Sequence, residues 1–217
     1  MKRKAGRPSP QAAEQKHRQM VVTALEEFAR CGFHAASLRN IANKAEVSNR
    51  TLYNYYPDKL ALFEACLEFS GNEIRPVLPD LNTDLHSALV TYVTSMQRQL
   101  FAPQAMRIAA LIYREGAAFD RLRQIARVQF ERHQVEPVAR ILERHDVSPE
   151  QSRIYATQFV AMAFGEWQRR LLFGEQVMIE AEMLAQAELA TRLFLPGLRS
   201  LQAHNMELDH DQSSKQV

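Results

Sequence analysis

Cysteine and glycine are scarce in this chain. Two Cys, Cys31 and Cys66, and seven Gly stand among 217 residues. Neither a disulfide framework nor a CxxC metal or redox motif can be built from them, and both thiols read as small buried hydrophobes. No run of about 18 apolar residues occurs, which excludes a membrane-spanning helix. The N-terminus is basic but is followed by no apolar h-region, so no secretory signal is read there and the expected location is the cytoplasm. The glycine patterns of a P-loop, a Rossmann turn or a GxSxG elbow are all missing. The seven His, at 17, 34, 86, 133, 145, 204 and 210, include no i, i+4 pair. No metal site, cofactor or catalytic set is therefore expected, and the chain does not read as an enzyme.

The residues that are present describe a globular chain, 46% apolar and 24% charged. Ala, Leu, Glu, Gln and Arg dominate, and strand signals are few, which points to an all-α fold. The net charge of +2 is unevenly spread. Residues 1–60 hold eleven Lys or Arg against five Asp or Glu, a surplus of six; the remainder holds sixteen against twenty, a deficit of four. A cationic end on an acidic body suits a polyanionic partner.

The basic arm 1–10, with Arg3 and Arg7 around Gly6-Arg7-Pro8, reads as flexible when free. A first helix is expected from about Gln11 to Cys31, with Val21, Ala24, Leu25 and Phe28 as its buried stripe and Gly32 closing it. Ser37 is placed to cap a helix from Leu38 to about Ala45, and Ser48 to cap one from Asn49 to about Tyr56. Asp58 caps a fourth, running to about Ser70. Residues 71–83 hold two Pro and one Gly and read as a joint. Beyond it, helices are expected near 84–101, 103–115, 118–145, 149–174 and 176–203. Ser148-Pro149-Glu150-Gln151 forms a capping box, Gly174 divides two long helices, and Pro196-Gly197 should kink or end the last. About nine helices result, with domains at 11–70 and 71–203 and a polar tail at 204–217.

The helix at 49–56 has little apolar surface of its own. It offers Ser48, Asn49, Arg50, Thr51, Tyr53, Asn54 and Tyr55 outward, held up by an apolar preceding helix, which is what a major-groove reader needs. Residues 20–67, MVVTALEEFARCGFHAASLRNIANKAEVSNRTLYNYYPDKLALFEACL, resemble the helix-turn-helix DNA-binding domain of TetR-family (TetR/AcrR) transcriptional regulators. Phe28, Gly32, Phe33, Ser37, Ile41, Ala42, Ala45, Val47, Ser48, Thr51, Leu52, Tyr53, Tyr55, Lys59, Leu62 and Phe63 fall in register with the family's pattern. Three positions depart from it: Glu46 where the family usually has Gly, Arg50 where many members have a small residue, and Tyr56 in place of Phe.

The resemblance implies a three-helix DNA-binding domain followed by a helical bundle for ligand binding and dimerisation. It implies that Ser37 and Arg39 meet phosphate at the start of the second helix, and that Asn49, Arg50, Thr51 and Asn54 face the major groove. Tyr53 and Tyr55 would reach phosphate, sugar or a thymine methyl, and Lys59 would anchor phosphate. Arg pairs naturally with guanine and Asn with adenine, so Arg50 with Asn49 or Asn54 are the specificity candidates, and the Ser, Tyr and Lys groups set register. Arg3 and Arg7 resemble a minor-groove hook.

In the body, Phe101, Met106, Leu111, Tyr113, Phe130, Gln134, Phe159, Met162 and Trp167 are candidates to line a pocket for a small apolar or amphipathic effector. Ala156, Phe159, Val160, Ala163, Leu189, Leu193 and Phe194 are candidates for a four-helix dimer seam, giving a homodimer on a palindromic operator. The expected function is a dimeric repressor released by an effector. Two alternatives stay open: a DNA-binding regulator without an effector, as activator or corepressor-dependent factor, and an all-α enzyme or carrier.

Overall fold

The computed structural model describes residues 10–115 and 119–214, with side chains described for 11–115 and 119–203. Among the described residues there are only helices, turns and bends. In chain order the α-helices are α1 (Pro10–Ala35), α2 (Leu38–Lys44), α3 (Asn49–Tyr55), α4 (Lys59–Asn72), α5 (Leu85–Leu100), α6 (Pro103–Glu115), α7 (Asp120–Phe130), α8 (Glu136–Glu143), α9 (Pro149–Phe173) and α10 (Glu180–Ser214). The helix expected over 118–145 is α7 and α8 run end to end through a π-helical turn, Glu131–Val135. Contacts divide the chain into two compact units. One takes in the described residues of Met1–Glu73 and Arg107–Ala126, the other those of Ile74–Met106 and Arg127–Val217.

Helix starts follow the short polar side chains that can accept from an unpaired backbone N–H. Ser48 Oγ accepts from Thr51 N at 3.0 Å, Asp58 from Ala61 N at 2.8 Å, Asp84 from Ser87 N at 3.0 Å and Ser148 from Gln151 N at 3.4 Å. The Ser37 contact to Asn40 N is longer, 3.5 Å. Gly174 ends α9 in the left-handed region, φ 65°, as expected of a C-terminal glycine.

In two places helix continues where the sequence suggested it would stop. α10 runs unbroken through Pro196 and on to Ser214, so the described part of the polar tail, 204–214, is helical in its backbone. A proline removes one hydrogen bond and crowds the carbonyl four residues back. Here Pro196 is exposed while Phe194, Leu195 and Leu198 are buried, so the packed face carries the helix across the missing bond. α1 likewise continues past Gly32 to Ala35, but Gly32 itself takes φ 83°, ψ 168°, and kinks the chain. A Cβ there would sit 2.7 Å from an Arg114 guanidinium nitrogen, so both backbone angle and space demand glycine.

The first unit has one continuous core. Phe28, Phe33 and Phe63 are mutually packed, with ring centroids 4.8–5.9 Å apart, and Phe119 closes on Phe33 at 4.8 Å. Met20, Leu25, Ile41, Leu52, Leu62 and Leu67 fill the space between α1, α2, α3 and α4. Ile108 and Leu111 of α6 and Leu122 and Ile125 of α7 belong to the same core. Cys66 is fully buried, donates its thiol to Val21 O at 3.4 Å and is pushed well up in pKa by burial, which fits an inert core thiol. In the second unit, α5 packs chiefly on α10, and α8 on α9. Trp167 Nε1 donates to Leu100 O at 3.1 Å, and Phe159 stacks on Phe194 at 4.9 Å.

Glu27 is buried on α1, yet its carboxylate is paired. Lys44 Nζ lies 2.7 Å from one oxygen and an Arg30 guanidinium nitrogen 2.9 Å from the other. The Lys44 hydrogen bond is the main reason its pKa lies below the ordinary carboxylate value. A depressed folded pKa contributes stability that is complete above the unfolded value, about 4.3, and is lost as pH falls through the folded one. Glu27→Gln is expected to lower stability by about 1–2 kcal/mol at pH 7, discounted because both cations are largely exposed. That gap should narrow below about pH 4, as measured by urea denaturation across pH.

Candidate nucleic-acid interface

α2 ends in a Schellman turn, and this turn aims α3. Val47 N donates to Ala42 O at 2.9 Å and Glu46 N to Asn43 O at 3.2 Å, the 6→1 and 5→2 bonds of that motif. The residue between must be left-handed, and Glu46 takes it at φ 55°. So the acidic residue adopts the geometry that glycine would supply, at a cost of roughly 1–2 kcal/mol. Val47 is buried behind it, against the Ile41 and Ala42 side of α2.

α3 is seven residues long, too short to be stable alone. Leu52, fully buried, and Tyr56 just past its end moor it to the core. Everything else on it faces outward: Ser48, Asn49, Arg50, Tyr53, Asn54 and Tyr55 are exposed and Thr51 is half-buried. Ser48 and Thr51 hydroxyls are 2.8 Å apart, so the capping pair also bond each other. Arg39 is exposed at the start of α2, beside half-buried Ser37. These nine sequence-derived candidates therefore lie on α2, α3 and their N-terminal caps.

Lys59 is placed differently from expectation. Its Nζ donates to His34 O at 2.8 Å and Ala36 O at 3.2 Å, and lies 4.9 Å from the centroid of the Phe33 ring. Two of its three donors thus satisfy carbonyls left unpaired where α1 ends. Its first role is to tie the start of α4 to that turn. Arg3 and Arg7 lie outside the described residues.

His17 is a contributor that the sequence pattern did not single out. Its Nε2 is 2.6 Å from the Tyr56 hydroxyl, and its ring lies 5.6 Å from that of Tyr55 and 5.8 Å from that of Tyr56. Burial pushes the Tyr56 pKa up to about 12, so the phenol stays protonated and can donate to the imidazole. The Tyr that stands where Phe is usual thus has a partner on α1, thirty-nine residues away. Only the residue type at 56 hinted at it; the partner is a matter of tertiary contact.

The pocket candidates of the second unit are dispersed. Phe101, Phe159 and Trp167 are buried, and Met106, Phe130 and Gln134 are half-buried. Tyr113 and Met162 are exposed at 49% and 39%. Leu111 belongs to the core of the first unit. Of the seam candidates, Ala156, Phe159, Val160, Ala163 and Phe194 are buried within the chain, leaving Leu189 and Leu193 on the surface. α9 and α10 carry apolar residues on more than one face, so the five buried seam candidates pack inside the chain.

Comparison with known proteins follows this geometry. Residues 21–66 match the family described as bacterial regulatory proteins, tetR family. This stretch is a DNA-binding domain of the TetR family. YvkB, an uncharacterized HTH-type transcriptional regulator of Bacillus subtilis, is 25% identical over 187 residues, 84% of this chain and 96% of that protein. A chain of Mesorhizobium loti assigned to the same family superposes with a TM-score of 0.76 at 17% identity, covering 85% of this chain and 96% of that one. The flavonoid-responsive regulator FrrA superposes with a TM-score of 0.65 at 24% identity, covering 85% and 97%. A DNA-binding domain of this family and a transcriptional regulator as a near full-length relative leave the enzyme or carrier alternative without support. Among the described residues no helix is long and apolar enough to cross a membrane.

Three substitutions test the geometry of this TetR-family reading head. Glu46→Gly should raise stability by about 0.5 kcal/mol, the relieved left-handed cost less the entropy of glycine, seen as a higher Tm. Arg50→Ala should weaken operator binding in a gel shift by about 1–3 kcal/mol with Tm unchanged. Tyr56→Phe should instead lower stability by about 1 kcal/mol and bind DNA with a smaller loss. Equal Tm losses for Arg50→Ala and Tyr56→Phe would make Arg50 a structural residue.

Proposed function

We propose that this protein is a dimeric repressor that acts in the cytoplasm, binds a palindromic operator through α3 and is released by a small molecule. The observation that carries the DNA half is the row of Asn49, Arg50, Tyr53, Asn54 and Tyr55, exposed on a helix that Leu52 and Tyr56 hold from behind. Arg50 and Asn49 or Asn54 read base edges; Ser37, Arg39, Ser48, Thr51, Tyr53 and Tyr55 hold the phosphates. Lys59 contributes charge from the start of α4 while fixing the turn, and Arg3 and Arg7 extend the contact into the minor groove.

The dimer reading rests on the outward faces of α9 and α10. Ile154, Met162, Leu189, Leu193 and Leu201 are 39–62% exposed. Gly165 and Gly197 leave open space where a Cβ would stand, so small residues allow a second pair of helices to come close. A two-fold seam of this kind sets two reading heads about one DNA turn apart, ~34–36 Å.

Effector release is supported by polar atoms inside the second unit. Thr94 Oγ1, Gln97 Oε1, Gln129 Oε1 and Thr191 Oγ1 are buried without a hydrogen-bond partner in the chain. Native interiors rarely leave such groups unsatisfied, and a bound polar molecule would satisfy them. A structural relative that responds to flavonoids fits the same reading. The ligand exerts control only through its different affinities for the DNA-bound and released states.

Leu193→Asp places a charge in the seam. It is expected to turn a dimer into a monomer in analytical ultracentrifugation at micromolar concentration and to weaken operator binding at least tenfold, with helicity retained. A wild-type chain that sediments as a monomer would end the dimer reading.

A further inference from the structure

The second unit carries a cleft of about 340 Å³ whose walls differ in chemistry. Leu78 and Pro79, in the segment before α5, form one lip with Pro137 and Ile141 across from them. Arg132 and His133 of the π-helical turn and Arg140 and Arg144 at α8 supply the polar wall. The volume is at the lower end of the range for small-molecule sites. Leu78 is 60% exposed, an apolar side chain offered at the mouth.

Charge in this cleft is opposite in sign to the acidic body that bears it. Glu136, paired with Arg140, is the one carboxylate in its lining. The neighbouring acids are engaged elsewhere: Glu131 binds Arg153 on α9 at 2.7 Å, and Glu143 accepts from the Ser152 hydroxyl at 2.9 Å. Arg132, Arg140 and Arg144 line the space, with Glu136 as the one lining carboxylate. His133 reports the resulting field. Burial first, then the Arg132 and Arg75 charges, hold its pKa below the ordinary value. Its Nε2 is buried and has no hydrogen-bond partner, while its carbonyl accepts from the Tyr92 hydroxyl, which fixes the turn in place.

We infer that this cleft binds a small anionic amphiphile, a carboxylate or phosphate head on a short apolar body. The head pairs with Arg140, Arg144 and Arg132, the fork geometry of arginine suiting either oxyanion. The apolar body lies against Leu78, Pro79 and Ile141. A π-helical turn is a frequent mark of a functional position in a helix, because it displaces the register of the side chains it carries. This assignment deepens the effector reading by giving the ligand a class, and it rests on that reading for its regulatory meaning.

The test is isothermal titration of the full-length, DNA-free protein with four probes: octanoate, octyl phosphate, 1-octanol and inorganic phosphate. Saturable binding of octanoate or octyl phosphate, with 1-octanol and inorganic phosphate at least tenfold weaker, is expected; whichever acid binds tighter identifies the head. The exposed double variant Arg140→Gln/Arg144→Gln should lose about tenfold or more of that affinity. Glu136→Gln should tighten it severalfold, an outcome that a fold defect would not produce. Equal affinity for 1-octanol and octanoate, or unchanged affinity in both variants, overturns the proposal. A gel shift with and without the bound probe then reads release separately: the cleft assignment stands on the titration, and the effector reading stands or falls on the DNA.

Discussion

Everything the reading head can do depends on the mooring of α3. A seven-residue helix with five exposed polar or aromatic positions has no stability of its own. It exists because Leu52 is inserted into a core built by α1, α2 and α4, and because Tyr56 closes its last turn. The Schellman turn before it and the proline after it fix where it begins and ends. Apolar burial on one side is thus what makes the other side available for hydrogen bonds. Two polar links guard the arrangement: Glu27 joined to Lys44 at the end of α2, and His17 joined to Tyr56 at the end of α3. Each spans from α1 to a neighbouring short helix, so α1 serves as the frame on which both are hung.

The price of that frame is visible at two backbone positions. Glu46 holds a left-handed angle that a side chain disfavours, and Gly32 holds one that the nearby Arg114 leaves to glycine alone. The turn at Glu46 survives because the flanking bonds and the burial of Val47 over-determine it. A long acidic side chain beside a DNA-facing surface also repels phosphate. The same residue therefore strains the turn and trims the cation surplus of the head.

Much of the head was legible in the sequence because its signals are local. Capping serines and aspartates sit directly before the helices they start, and the residue that needed special backbone angles was identifiable as Glu46 from the usual glycine there. Lys59 was legible as a cation at a helix start but not as the partner of His34 and Ala36 carbonyls, since that bond depends on how α1 ends. The His17–Tyr56 pair was invisible for the same reason. In the second unit the signals are weaker. α9 and α10 bear apolar residues on more than one face, so period alone could not say that Phe159 and Phe194 pack inside while Leu189 and Leu193 stay out. The π-helical turn has no sequence signature at all: it interrupts a stretch, 118–145, whose periodicity reads as one helix.

The chain passes between the two units within α6 and within α7. Each has one end assigned to the second unit and the other to the first, where Ile108, Leu111, Leu122 and Ile125 enter the core that holds α1 and α4. The α7 rod changes register at residues 131–135, the point at which the basic cleft begins. A π turn holds one residue more per turn than the α-helix around it, and converting it back rotates everything beyond it by about a hundred degrees of helical phase. Under the proposed cleft assignment, a ligand held by Arg132 lies on the segment where the register changes. Any effect it has on DNA binding is bounded by its differential affinity for the DNA-bound and released states.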